Sequence, residues 1–206
     1  MGLRLHQLPP SPNNLRVRLA LAIKGLDYEN CVVPFTSDRS EIVELSTQPL
    51  TPVLEHDGRV IFDSSAILRY LEANFPDTPR LFSADRDEMR EIEEWEYFCR
   101  LDLTRPVGMI FDQAFAPEQD AEEIEDANEL MRAGTERIEE ALEGRDFLLG
   151  DRITAADLFA APIVSTTQMS ADSPVGVVKF FAENLHLGPN RERTLAWLGR
   201  VMAYDQ

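Results

Sequence analysis

The stretch that decides the fold is Val53-Leu54-Glu55-His56-Asp57-Gly58-Arg59-Val60-Ile61. An Asp-Gly pair between two short apolar runs is the strongest local signal for a β-hairpin. Directly after it, Asp63-Ser64-Ser65 precedes a run of helical spacing that extends to Asn74, with two prolines beyond. Asp and Ser are favoured helix N-caps and proline stops a helix, so the hairpin is predicted to lead into a helix.

Upstream of the hairpin the pattern begins with another strand. Gly2-Leu3-Arg4-Leu5-His6-Gln7-Leu8 alternates apolar and polar residues before a proline-rich stop. From Leu15 the apolar spacing becomes helical as far as about Gly25. Residues 28–35 are predicted to form a second strand and residues 40–45 a short helix. The order is therefore βαβαββα in about 80 residues.

Downstream of Asp85 the strand signals end, and Met89, Ile92, Trp95 and Phe98 repeat at helical spacing. Charge changes at the same place: residues 1–83 carry 8 basic and 10 acidic side chains, whereas residues 84–206 carry 12 and 27. We therefore predict an α/β domain over residues 1–80 and an all-helical domain over residues 86–206. The acidic run at 118–129 is interpreted as a solvated helix face, with a docking surface as the alternative.

Composition excludes several classes of protein. The 206 residues are 44% hydrophobic and carry a net charge of −17, which repels nucleic acid and anionic membranes. No apolar stretch is long enough to span a membrane and no secretory signal is visible, so a cytoplasmic globular protein is expected. Cys31 and Cys99 are far apart, and the three histidines share no metal-ligand spacing. Neither a disulfide framework nor a metal site is indicated.

Four local sequences resemble the cytosolic glutathione transferase superfamily, in the order and at the separations of that family. They are Ser11-Pro12-Asn13-Asn14-Leu15-Arg16-Val17-Arg18-Leu19-Ala20-Leu21, Thr51-Pro52-Val53-Leu54, Phe62-Asp63-Ser64-Ser65-Ala66-Ile67-Leu68-Arg69-Tyr70-Leu71, and Phe147-Leu148-Leu149-Gly150-Asp151-Arg152-Ile153-Thr154-Ala155-Ala156-Asp157. The resemblance spans residues 3–203. It implies a thioredoxin-like N-terminal domain, an all-α C-terminal domain, glutathione as co-substrate without a metal, and a homodimer.

The resemblance also implies a glutathione site. Ser64 at a helix start would donate its hydroxyl, beside free backbone N–H groups, to the peptide's α-carboxylate, and Asp63 would take its ammonium. Thr51 and a cis Pro52 would leave the Val53 backbone to pair with the cysteinyl unit. Asn13 is a further candidate contact. An ordinary N-cap role for Asp63 and Ser64 can coexist with binding.

Ser11 lies where the family places the residue that handles the glutathione sulfur, so the resemblance implies a serine-type site. The alternative is that Ser11 only caps the following helix, in which case Asn13 or Asn14 would donate to the thiolate. The loop before Pro52 is short and has no Lys, which leaves the partner of the glycine carboxylate open.

The family's second substrate binds against the first helices of the helical domain. Phe98, Cys99 and Met109 are the candidates to line that pocket for a small hydrophobic electrophile, and an ordinary core role is the alternative. The leading hypothesis is thus a glutathione transferase. The others are a non-catalytic binding or scaffold protein with the same fold, and a glutathione-dependent disulfide oxidoreductase that uses Asn13 or Asn14.

Overall fold

The computed structural model describes residues 2–205, which form two compact units. The first unit extends to Phe82 and also includes the end of the chain from Ala203, and the second is Ser83–Met202. The predicted fold class, a thioredoxin-like α/β domain followed by an all-α domain, is confirmed. The elements of the first unit are β1 (Leu3–Gln7), α1 (Pro12–Ile23), β2 (Tyr28–Val32), α2 (Ser40–Ser46), β3 (Val53–His56), β4 (Arg59–Phe62) and α3 (Ser64–Asn74).

The sheet of the first unit has the strand order β2-β1-β3-β4. β1 runs parallel to β2 and antiparallel to β3, and β3 is antiparallel to β4. The predicted hairpin is confirmed: both Asp57 and Gly58 have positive φ, of 49° and 78°, as a tight two-residue turn requires. β1 alternates as expected, since Leu3, Leu5 and Gln7 are buried.

Two boundaries in this unit differ from the sequence prediction, and proline explains both. α1 begins at Pro12, three residues before the first apolar repeat, because the fixed φ of proline suits the first helical turn. β2 ends at Val32 instead of residue 35. The Val33 N–H still donates to Gln7 O over 2.8 Å. In this parallel register the next donor would be residue 9 of the first strand's extension, and Pro9 has no N–H to continue the ladder.

The second unit is built from helices. They are α4 (Arg86–Phe98), a π-helical turn (Cys99–Leu103), α5 (Thr104–Phe115), α6 (Ala121–Ala141), α7 (Ala155–Val164), a 3₁₀ turn (Ser165–Gln168), α8 (Gly176–Asn184) and α9 (Glu192–Met202). α7 lies at the centre of this unit, with all ten of its residues buried.

A capping box formed by Thr154 and Asp157 starts α7. Asp157 is fully buried; its Oδ2 accepts from the Thr154 N–H over 2.8 Å, and its Oδ1 accepts from the Leu148 N–H over 3.0 Å and from Trp197 Nε1 over 2.8 Å. Burial raises the pKa of Asp157 despite these donors. One carboxylate therefore joins a loop, α7 and α9 in the core of this unit.

Candidate functional site

Ser11 stands at the start of α1 with an uncommitted hydroxyl. Its N–H donates to Leu8 O over 3.1 Å, and its carbonyl accepts from the N–H groups of Asn14 and Leu15. The hydroxyl does not cap the helix, and it has no hydrogen-bond partner within residues 2–205. The residue is half-buried. The structure therefore gives Ser11 the backbone position of an N-cap but leaves its side chain available at the positive end of α1.

Asp63 caps α3, with a positive φ of 69°. Its Oδ1 accepts from the N–H groups of Ser65 over 2.9 Å and Ala66 over 3.1 Å. The expectation of free N–H groups at this helix start is therefore wrong for Ser65, because a side-chain cap satisfies the first-turn donors it can reach. The Ser64 N–H is the donor that the cap does not use.

Arg16 joins the beginning of α1 to the beginning of α3. Its Nη1 donates to Ser64 Oγ over 2.7 Å and to Asn13 Oδ1 over 3.1 Å, and the residue is only 6% exposed. Because Ser64 accepts from the guanidinium, its hydroxyl hydrogen remains to donate to an incoming carboxylate. The structure thus brings Asn13 and Ser64, two residues predicted for the site, to one side chain.

The bridging role of Arg16 was not predicted from the sequence. A usable signal exists in the sequence, because Arg16 shares one helical stripe with the apolar residues Leu19, Ala20 and Ile23. A charged residue on a buried stripe needs partners inside the fold.

The Thr51–Pro52 peptide bond is cis, as predicted, and Pro52 and Val53 are buried. Val53 opens β3, in register with His6 of β1 and Phe62 of β4. Its side chain packs with Val33 and with Ile42 of α2. The segment that carries Thr51 is therefore held against the sheet and α2.

Arg39 is a candidate anion-binding residue that was not predicted from the sequence. It precedes α2 with φ of 65°, and its Nη1 atom is buried without a hydrogen-bond partner among the described residues. It lies three residues before Ile42, which packs against Val53. A buried guanidinium N–H is costly until it finds an acceptor, and an anion is the natural one.

Asn14, like Arg39, has buried side-chain atoms that lack a hydrogen-bond partner among the described residues. It is fully buried on α1, and neither its Nδ2 nor its Oδ1 finds a partner among residues 2–205. Asn14 is three residues from Ser11, so the two lie on neighbouring turns of one helix face. This amide can still both donate and accept.

The three residues predicted for the second-substrate pocket have different surroundings. Phe98 is 7% and Cys99 1% exposed, whereas Met109 is half-buried. The Arg137 guanidinium lies 4.2 Å from the centre of the Phe98 ring. Phe98 and Cys99 thus present little surface, and a role for the three in binding remains a prediction.

Two properties of the described chain bear on cofactors and membranes. Within residues 2–205 no group of three or more His, Cys, Asp or Glu side chains is arranged to hold a metal ion. Across the same residues no helix is both long and apolar enough to cross a bilayer.

Comparison with known proteins finds a family-model match in each of the two units. Residues 5–79 match the family model for the glutathione S-transferase N-terminal domain, and residues 97–184 match that for the C-terminal domain. Glutathione S-transferase 1 of Dianthus caryophyllus is 31% identical over 166 residues, which cover 76% of this chain and 74% of that protein. The chain belongs to the glutathione S-transferase family. The predicted family is thereby confirmed.

Two other relatives of this glutathione S-transferase family member have names other than glutathione transferase. Protein LigF of Sphingobium sp. strain SYK-6 is 29% identical over an alignment covering 98% of this chain and 90% of LigF. The crystal structure of the β-etherase LigF superposes with a TM-score of 0.80 at 23% identity, covering 98% of this chain and 96% of that one. FtsZ-localized protein A of Caulobacter vibrioides is 29% identical over 82% of this chain and 79% of its own length.

Proposed function

We propose that this chain is a glutathione transferase that holds glutathione on its first unit and stabilises the thiolate through Ser11. The observation that carries the proposal is the uncommitted Ser11 hydroxyl at the start of α1. A hydrogen bond to a charged acceptor contributes about 1.5 to 3 kcal/mol, and a helix N-terminus about 0.3 to 1 kcal/mol. Together they lower the pKa of a thiol from its usual ~8.5 toward or below neutrality.

Donors and acceptors of the first unit match the two charged ends of glutathione. Ser64 donates its hydroxyl hydrogen to the α-carboxylate while Arg16 fixes the Ser64 oxygen, and the exposed Asp63 accepts from the ammonium. Asn13 lies beside the same guanidinium. Thr51, Pro52 and the Val53 backbone flank the cysteinyl unit. Arg39, with its unpartnered Nη1, supplies the cation for the glycine carboxylate.

The proposed reaction is attack of the glutathione sulfur on an electrophilic carbon. The thiol proton leaves to solvent, and the sulfur electron pair forms the new S–C bond. In a substitution the leaving group departs with the electron pair of the broken bond; in an addition the substrate takes up a proton. Ser11 donates to the sulfur and neither gains nor loses a proton overall. The electrophile is hydrophobic, with Phe98, Cys99 and Met109 as proposed contacts, and an ether of the kind suggested by the name of LigF is one class to test.

The test compares wild type with Ser11→Ala, using calorimetry for glutathione binding and a chromogenic aryl halide for turnover. We expect binding to be retained and kcat to fall about 10- to 100-fold, the loss of one charged hydrogen bond. Unchanged turnover in Ser11→Ala would contradict a serine-type site.

A second candidate, a disulfide oxidoreductase that uses an asparagine amide, is favoured by the unpartnered Asn14. It predicts that Asn14→Ala or Asn13→Ala, and not Ser11→Ala, removes glutathione-dependent reduction of a mixed disulfide. If this chain binds no glutathione, the non-catalytic alternative applies instead. The similarity to FtsZ-localized protein A supports that alternative.

We also propose that the chain forms a homodimer and acts in the cytoplasm. Leu50 and Phe62 of the first unit are 71% and 44% exposed, and Val60 lies two residues before Phe62 on the same side of β4. Exposed apolar side chains of this kind favour burial against a partner. Light scattering of wild type and Phe62→Asp tests the dimer.

A further inference from the structure

Arg18 of α1 contacts two separate parts of the first unit. Its Nε and Nη2 donate to the two carboxylate oxygens of Asp205, each over 2.9 Å. Its Nη1 donates to Gln7 Oε1 over 2.9 Å and to the Pro9 carbonyl over 3.2 Å. The Arg18 side chain is 16% exposed and that of Asp205 32%. One guanidinium therefore joins the segment after α9 to the turn that precedes Ser11.

That turn has few other constraints. The Ser11 N–H donates to Leu8 O over 3.1 Å and closes it. The two residues between them, Pro9 and Pro10, have no N–H to donate. The bond from Arg18 to the Pro9 carbonyl is thus a side-chain anchor on the peptide two residues before Ser11.

Asp205 orients the Arg18 guanidinium that bonds to the Pro9 carbonyl. A two-point contact fixes the plane of an arginine side chain, so Asp205 determines where Nη1 points. The acceptor side is fixed as well: Gln7 is 1% exposed, and its Nε2 donates to Asn30 Oδ1 over 2.7 Å. Without the carboxylate, Arg18 keeps its charge but loses the contact that orients it.

We propose that Asp205 is a positioning residue for Ser11, acting through Arg18 and the Pro9 carbonyl. The inference rests on the proposed function, in which the Ser11 hydroxyl donates to the glutathione sulfur. Asp205 lies outside both family-model matches, which cover residues 5–79 and 97–184. The segment that contains Asp205 is thus not part of the residues on which the family assignment rests.

The test is Asp205→Asn in the full-length protein, with Glu72→Gln as matched control. Glu72 pairs with Lys24 at the other end of α1, over 2.7 Å, and accepts from the Leu81 N–H over 3.2 Å; neither bond involves the turn. We expect Asp205→Asn to lower kcat about tenfold, less than the ~100-fold that an ångström of misplacement can cost, with the glutathione KM nearly unchanged. The ultraviolet thiolate absorbance of bound glutathione should fall in parallel. Glu72→Gln should lower the unfolding midpoint but leave kcat unchanged, and Asp205→Glu should restore part of the activity.

Hydrogen exchange of the Ser11 amide separates this inference from the proposed function. We expect exchange to be faster in Asp205→Asn than in wild type or Glu72→Gln, because the turn is less constrained. Equal exchange and equal kcat would overturn the positioning role while the transferase proposal stands. If wild type shows no glutathione turnover, the proposed function fails and exchange alone decides: faster exchange supports the positioning contact, and equal exchange overturns it.

Discussion

Arg16 Nη1 donates to Ser64 Oγ over 2.7 Å across a separation of 48 residues, and this bond ties the N-terminal half of α1 to the first turn of α3. The same nitrogen reaches Asn13 Oδ1. In the proposed site, the side chain that faces the glutathione carboxylate is therefore oriented by a buried cation. The site is an assembled feature of the first unit rather than a property of either helix alone.

Replacing Arg16 with Lys should weaken glutathione binding about tenfold, because an ammonium keeps the charge but cannot donate along two fixed directions. Calorimetric titration measures the change. Arg59→Lys, at an exposed position of β4, serves as control and should bind as wild type does. An unchanged affinity in Arg16→Lys would show that the bridge to Ser64 is not needed for binding.

Ser11→Ala should leave the unfolding midpoint unchanged, because the hydroxyl makes no bond within the described chain and does not cap α1. An N-cap loss would instead cost about 0.5 to 2 kcal/mol. Thermal denaturation beside the kinetic assay therefore distinguishes the catalytic role from the capping role. A lower midpoint would indicate that the serine contributes mainly to the helix.

Arg39→Gln should remove discrimination between glutathione and its glycine ethyl ester. Wild type is expected to prefer the free acid, since the ester has no carboxylate for the unpartnered Nη1 of Arg39. The variant should bind both equally, at the affinity that wild type shows for the ester. Arg59→Gln is the control for the loss of one positive charge. A preference that survives in Arg39→Gln would contradict this role.

Glu139 of α6 should make stability depend on pH. Burial alone would raise its pKa, but bonds from the hydroxyl and N–H of Thr194, over 2.7 Å each, and from Arg193 outweigh burial, so the pKa lies below the usual 4.5. A carboxylate with a depressed pKa stabilises the folded state above the unfolded-state pKa, and this contribution is lost as pH falls through the folded-state pKa.

Urea denaturation of wild type and Glu139→Gln tests that dependence. At neutral pH the variant should be about 1 to 3 kcal/mol less stable, because charged hydrogen bonds at the start of α9 are weakened. The difference should shrink as pH falls below the usual glutamate pKa. A difference that stays constant from neutral to acid pH would show that Glu139 does not act through its charge.

Local chemistry made much of the fold predictable. The Asp57-Gly58 pair determines a hairpin turn, Asp63 caps a helix, and Thr154 and Asp157 form a capping box. Each of these features is encoded by residues within about four positions of one another. The two boundaries that were wrong, at the start of α1 and the end of β2, concern where a helix starts and a ladder stops, which depends on single backbone donors.

The site was only partly predictable for a different reason. Its position on the first unit followed from motifs, but the Arg16 bridge, the buried Nη1 of Arg39 and the pairing of Arg18 with Asp205 join residues through tertiary packing. Arg18 and Asp205 are 187 residues apart, and no periodicity relates them. The Ser65 N–H was expected to be free because helix geometry leaves it unpaired, and only the rotamer of Asp63 decides otherwise.

The proposed glutathione site is tested most simply by calorimetric titration of glutathione into the wild type and Ser64→Ala at neutral pH. We expect wild type to bind and Ser64→Ala to lose about 1.5 to 3 kcal/mol of binding free energy, the contribution of one hydrogen bond to a charged group. Ser65→Ala, whose backbone N–H still serves the Asp63 cap, should bind as wild type does. No binding by wild type at millimolar glutathione, or equal binding by wild type and Ser64→Ala, would contradict the proposed site.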